Sequence, residues 1–314
     1  MKSKKKQMNN RAQKTAKQPA GRSKAITAVL VILFISVIAY FLIPQDSEKW
    51  IVNNEGILSY PENRGKVDVT VIKTESGSNY TLETISFPSK DYTVEGLLRL
   101  PSSGKKVPAV VLLPGATVNK EGTQGLAQIL SGMGYASLGI EQRNRGGVDF
   151  QYDFTLFKDG KEPIEHKMVF DALRAVDVLK QDVRIDPERI AVVGESNGGR
   201  FAIIATAIDT DIKGVIGIST SGYDTEAQIA DVRDETARRF YRSIDPETYL
   251  KFIPPRKFVM MHSVNDSIIA LEYAENTFKK AMEPKMFYKV ETGGHGFSDG
   301  MRVQFENELR LMLG

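Results

Sequence analysis

The sequence predicts an α/β domain, a mostly parallel sheet with helices on both faces and a helical cap insertion, preceded by one N-terminal transmembrane helix. Three observations predict it. Beyond Pro108, short apolar runs alternate with helical segments, the rhythm of a parallel sheet covered on both sides. Between Tyr223 and Pro255 that rhythm breaks into charged helical sequence, DTEAQIADVRDETARRFY and then DPETYLKF, set between two strands. From Ala25 to Ile43, nineteen residues run without a charge.

The apolar run AITAVLVILFISVIAYFLI spans about 28 Å as a helix at ~1.5 Å per residue, close to the ~30 Å hydrocarbon core of a bilayer. It has no polar face, unlike a helix buried in a soluble domain. Cleavage after Val37-Ile38-Ala39 would instead release the body as a secreted protein. The apolar run continues through Tyr40 to Ile43, however, and the basic arm before it, residues 1–24, is long for a leader. An uncleaved single-pass anchor in contact with membrane lipid is therefore the expectation for residues 25–43.

Charge sets the orientation. Residues 1–43 hold nine basic side chains and no acid, which leaves 33 Lys and Arg against 39 Asp and Glu in the rest of a chain whose net charge is +3. By the positive-inside bias the arm stays in the cytoplasm and the body lies outside. A net acidic body excludes a nucleic-acid partner. With no cysteine, the chain has no disulfide framework, thiolate metal site or cysteine nucleophile.

Residues 44–65, with Pro44, Pro61 and Gly65, read as a tether with some local structure, and residues 66–314 as one domain with the cap at about 223–255. Alternation predicts β-segments at 66–73, 81–87 and 92–100. Parallel strands follow at 109–113, 135–140, 189–193, 214–218, 257–262 and 285–290. Helices fit at 123–133, 167–181, 198–208, 270–281 and 301–313.

The chemistry centres on Gly194-Glu195-Ser196-Asn197-Gly198, a G-x-S-x-G between an apolar strand and a helix-like run. That is the strand-to-helix elbow on which a nucleophilic serine stands. A serine hydroxyl needs a base, and an imidazole base needs a carboxylate to fix its tautomer. Of three histidines, His166 sits near a helix start and His262 ends a strand, both suited to structural roles. His295 lies in Gly293-Gly294-His295-Gly296-Phe297, a flexible loop between the last strand and the last helix. In the chain order Ser, acid, His, the best-placed acid is Asp266, with Glu272, Glu275 and Glu291 as alternatives. Backbone N–H groups of Ala116, after the first parallel strand, and of Asn197 are the expected oxyanion donors.

The motifs LLPGAT, EQRNRGG, DPERIAVVGESNGG, HSVND and GGHGF stand in the order of the α/β-hydrolase family, which residues 90–314 resemble. They are most similar to the branch holding dienelactone hydrolases, acetyl xylan esterase-like enzymes and the catalytic domains of prolyl-oligopeptidase-type peptidases. The resemblance implies an α/β-hydrolase fold. It gives Glu141 and Arg143 a structural or pocket-bordering place and no catalytic one. The sequence lacks a His-Gly-Gly-Gly before the oxyanion position, and no upstream stretch is long enough for a β-propeller gate. No metal or organic cofactor is implied. The expectation is a membrane-anchored serine hydrolase of acyl esters, with Ser196, Asp266 and His295 as its triad. A peptidase or amidase acting on short peptides, or a non-catalytic binding protein on the same fold, are the competing readings, and oligomeric state is left open.

Overall fold

The computed structural model describes residues 29–30 and 48–314. The chain divides into two units, Met1–Asp46 and Ser47–Gly314. In the first, Val29 and Leu30 are helical and exposed. Apart from those two residues, the span expected at 25–43 and the basic arm lie outside the described residues. Among the described residues no helix is long and apolar enough to cross a membrane, which corrects the expected fold class on that point. The reason is compositional: the longest described helix, Ile164–Gln181, carries Glu165, Lys167, Asp171, Arg174, Asp177 and Lys180.

The second unit opens with a hairpin, β1 (Ile51–Val52) and β2 (Leu58–Ser59). Three antiparallel strands follow, β3 (Thr70–Ser76), β4 (Tyr80–Ser89) and β5 (Tyr92–Pro101). The alternating part consists of β6 (Val107–Leu113), α1 (Gln124–Gly132), β7 (Ala136–Ile140), α2 (Phe150–Lys158), α3 (Ile164–Gln181) and β8 (Ile185–Glu195). It continues with α4 (Asn197–Ile208), β9 (Gly214–Ile218), α5 (Thr225–Gln228), α6 (Glu235–Ile244) and a 3-10 segment Pro246–Phe252. The chain ends with β10 (Lys257–Ser263), α7 (Leu271–Lys280), β11 (Lys285–Val290) and α8 (Arg302–Leu313). Among the described residues, nine strands form one sheet in the order β11-β10-β9-β8-β6-β7-β5-β4-β3. The sheet is mixed: β6 to β11 pair in parallel throughout, while β3, β4 and β5 join its edge antiparallel and β5 pairs with β7.

Along the central strands successive residues feed opposite faces. In β6, Val111 and Leu113 pack with Phe170 and Leu173 of α3 and Phe201 of α4, whereas Val110 and Leu112 pack with Leu126 and Leu130 of α1 and Phe305 of α8. Both faces are therefore dry, which is why these strands read as unbroken apolar runs. Burying each such side chain contributes about 1.5–3 kcal/mol, and that gain fixes the sheet on which the loops are carried.

Strand order reverses at β6. From β6 the chain runs to β7 on one side and then crosses to β8 on the other, so the carboxyl ends of β6 and β8 flank a crevice of the kind that holds ligands in α/β sheets.

The expected tether docks where it is described. Val52, Leu58 and Tyr60 are buried. Arg64 donates to Asp177 of α3 at 2.9 and 2.8 Å and to Asp209, the residue after α4, at 2.5 Å. Burial alone would raise the Asp209 pKa, but the Arg64 and Lys180 charges outweigh it and hold the carboxyl below its usual range. A carboxylate with a depressed folded pKa contributes stability above its unfolded pKa of about 3.9 and loses that contribution as pH falls through the folded value. Asp209→Asn is therefore expected to be less stable than wild type at pH 7. The gap in urea-unfolding free energy is expected to close as pH drops below about 4.

Candidate active site

The elbow is built from small residues for steric reasons. Ser196 has φ 51° and ψ −120°, a conformation that costs a non-glycine residue about 1–3 kcal/mol. A Cβ on Gly194 would lie 2.3 Å from Gly198 O, and one on Gly198 would lie 2.2 Å from Leu113 O. Both neighbours are backbone and cannot step aside. The Ser196 N–H donates to Ile218 O at 2.9 Å, so Ser196 is pinned to β9.

The loop after β6 meets this elbow. A Cβ on Gly115 would approach Ser196 Cβ to 3.2 Å, which places the Ala116 peptide beside the serine. Asn197 is the first residue of α4, where an N–H has no partner inside the helix. The two expected oxyanion donors thus come from the two segments flanking Ser196. A third segment braces them: Asn144, Arg145 and Gly146 all have positive φ, at 50°, 51° and 69°. Arg145 O accepts from Thr117 N at 2.7 Å, and Gly146 O accepts from Asn197 Nδ2 at 2.6 Å.

Arg143 anchors that brace from below. It donates to Asp171 at 2.6 and 2.8 Å, to Ser89 O at 3.1 Å and to Asp91 at 3.0 Å. Arg143 and Asp171 are both buried, so removing one partner strands a buried charge. Arg143→Ala is expected to cost about 3–5 kcal/mol of stability in chemical denaturation.

His295 rides on a loop whose turns are made by Gly293 at φ 95° and Gly296 at φ 92°. Its Nδ1 lies 3.0 and 2.9 Å from the two oxygens of Asp266. Burial would push the Asp266 pKa up, but the N–H groups of Ile269 and Ile268, His295 and the Ser219 hydroxyl outweigh it and hold the carboxyl below its usual range. The group facing His295 is therefore a carboxylate at neutral pH. The His295 side chain keeps 26% of its surface exposed while that of Asp266 is fully covered, so the imidazole faces outward from its acid. The loop is tied to the elbow where Phe297 N donates to Glu195 Oε1 at 2.9 Å. No hydrogen bond joins Ser196 Oγ to His295 among the described residues, and such bonds commonly tighten only around substrate.

The other candidates are held differently. His262 is fully buried, with Nε2 2.8 Å from Ile269 O and 3.5 Å from Asp266 Oδ2, and burial holds its pKa below the usual value. His166 has Nε2 2.8 Å from Ser243 Oγ, and burial pushes its pKa down to about 3. It is a neutral link between α3 and the cap. Glu275 pairs with Lys289, Glu291 accepts from Asn265 through its backbone oxygen, and Glu272 lies in the first turn of α7. Among the described residues, Asp266 is the acid that meets His295. Sequence reasoning missed Glu195, Ser219 and Thr220, whose roles depend on contacts across strands and leave no local pattern.

One cavity adjoins these groups, and a second is linked to the elbow through Arg200. One of about 560 Å³ opens beside His295 and is lined by Glu195, Phe297, Gln128, Asp299 and Arg302. The other, about 300 Å³, lies under the cap between Phe150, Tyr223, Ile229, Val232, Tyr241 and Ile244. Arg200 connects the second to the elbow, donating to Tyr223 Oη at 2.6 Å and to Asn197 Oδ1 at 2.5 Å.

Residues 73–258 match the acetyl xylan esterase (AXE1) family. The chain belongs to that family. It is accordingly a serine hydrolase of the carboxylic-ester class, within the α/β-hydrolase superfamily. The match takes in Ser196 and stops before Asp266 and His295. An uncharacterized protein, YfhR of Escherichia coli O157:H7, is 22% identical over 284 residues, covering 88% of this chain and 90% of that protein. The fold is shared with an acetyl xylan esterase from Paenibacillus sp. R4, at TM-score 0.68 and 17% identity over 80% of this chain and 91% of the other. It is shared also with a glucuronoyl esterase from Solibacter usitatus, at TM-score 0.61 and 14% identity over 86% and 90% of the two chains.

Proposed function

We propose that this acetyl xylan esterase family member hydrolyses small acyl esters through an acyl-enzyme, with Ser196, His295 and Asp266 as a triad. The contact of His295 Nδ1 with both oxygens of Asp266, at 3.0 and 2.9 Å, carries the reading. It leaves Nε2 as the nitrogen free to take the Ser196 proton. Ser196 Oγ attacks the acyl carbonyl, and the imidazolium formed on His295 is stabilised by the Asp266 carboxylate. The Ala116 and Asn197 N–H groups receive the developing oxyanion. His295 then protonates the leaving alcohol, and water attacks the acyl-enzyme by the same path in reverse. The family's name places acetyl esters first among the acyl groups to try.

Labelling with a fluorophosphonate followed by peptide mapping tests this assignment. Label on the peptide containing Ser196, in a protein that releases p-nitrophenol from p-nitrophenyl acetate, is the expected result. Loss of turnover on labelling of another residue, or turnover that survives full labelling of Ser196, would overturn it.

A further inference from the structure

In the sheet, β9 lies between β8, which leads into Ser196, and β10, which leads into Asp266. Its last residues therefore emerge between the proposed nucleophile and the proposed acid. Ser219 is fully buried and has φ 48°, a region that glycine adopts without strain and serine does not. A turn needed only for shape would suit glycine better, so the hydroxyl is the reason to look for.

The hydroxyl faces both sides of the pair. Ser219 Oγ accepts from Gly296 N, next to His295, at 3.0 Å, and the same hydroxyl is among the groups that hold the Asp266 carboxyl below its usual range. A hydroxyl carries one donor and two acceptor positions, so accepting from Gly296 leaves its own proton available to turn toward the carboxylate. The Ser219 N–H donates to Met261 O at 2.9 Å, which fixes the residue to β10. Thr220, also fully buried, donates from Oγ1 to Ser196 O at 2.7 Å. It fills the space that Gly199 leaves open, where a Cβ would lie 2.7 Å from Thr220 Cβ.

We propose that Ser219 and Thr220 are positioning residues, Ser219 clamping the His295 loop onto Asp266 and Thr220 holding the backbone of Ser196. The proposal rests on the triad reading and goes one step past it. Two consecutive hydroxyls join the three groups that three separate loops deliver.

Ser219→Ala is expected to lower kcat by about 10–100-fold, the scale of a small misplacement of reacting groups, with KM changed by less than about twofold. In the same variant the downfield proton resonance of the imidazole N–H facing Asp266 is expected to shift upfield or vanish. Thr220→Val should lower kcat and Thr220→Ser should restore it. A kcat within about twofold of wild type, or an imidazole resonance that does not move, overturns the role of Ser219. If Ser219→Ala does not fold, as judged by its melting curve, the Thr220 pair decides by the same kcat limits. His295→Ala separates the two levels. Full activity in His295→Ala removes the triad itself, whereas an inactive His295→Ala beside a fully active Ser219→Ala removes only the clamp.

Discussion

Ser196→Ala is expected to lower kcat for a p-nitrophenyl ester by about 10⁶-fold, the scale seen when a triad nucleophile is removed, and to abolish fluorophosphonate labelling. This corresponds to roughly 8 kcal/mol of transition-state stabilisation. Stability should hardly change, because alanine inherits the φ of 51° that serine occupies. Ser196→Gly is the informative companion. It should be equally inactive, yet more stable than Ser196→Ala by about 1–3 kcal/mol, since glycine takes that conformation without strain. Steady-state kinetics and urea unfolding of the two variants check both halves. Equal stability of the two would mean that the elbow stores no strain at Ser196.

The second large effect is expected at the acid. Asp266→Asn should lower kcat by about 10⁴-fold, because an amide facing Nδ1 no longer holds the tautomer that leaves Nε2 free to accept a proton. The amide oxygen of that variant can still accept from the Ile268 and Ile269 N–H groups that Asp266 Oδ1 engages at 2.9 and 3.0 Å, so the loop should keep its shape. Glu291→Gln and Glu275→Gln should stay within about twofold of wild type. A large loss in either would transfer the acid's role away from Asp266.

Much of this was legible in the chain itself because the relevant signals are local. β9 and β11 begin and end where the apolar runs do, at Gly214–Ile218 and Lys285–Val290. The elbow is marked by glycines whose absence of side chain the backbone demands. Asp266 and His295 could be paired because few histidines exist and the order of the groups is constrained. Long-range polar contacts were not legible. α2 buries Asp153 and Phe157, too sparse a face to register as a period. β3 begins at Thr70 rather than Lys66, since the alternation of KVDVTVIK continues through a segment where Val67 turns into the core. Ser219 and Thr220 look like ordinary residues after a strand. Their meaning comes from the placing of β9 between β8 and β10, a property of the sheet and not of the neighbouring sequence.

The docking of the segment before the sheet bears on where the protein can be cut. A truncated version starting at residue 66 would discard Arg64 and leave Asp177 and Asp209 without their shared guanidinium. It would also discard Tyr60, whose ring packs on Phe170 at 4.9 Å between centroids, and open that part of the core to water. Because Asp209 terminates the helix that begins at Asn197, the damage would reach the far end of the helix that follows Ser196. A recombinant fragment intended for kinetics or crystallisation should therefore begin no later than Glu48.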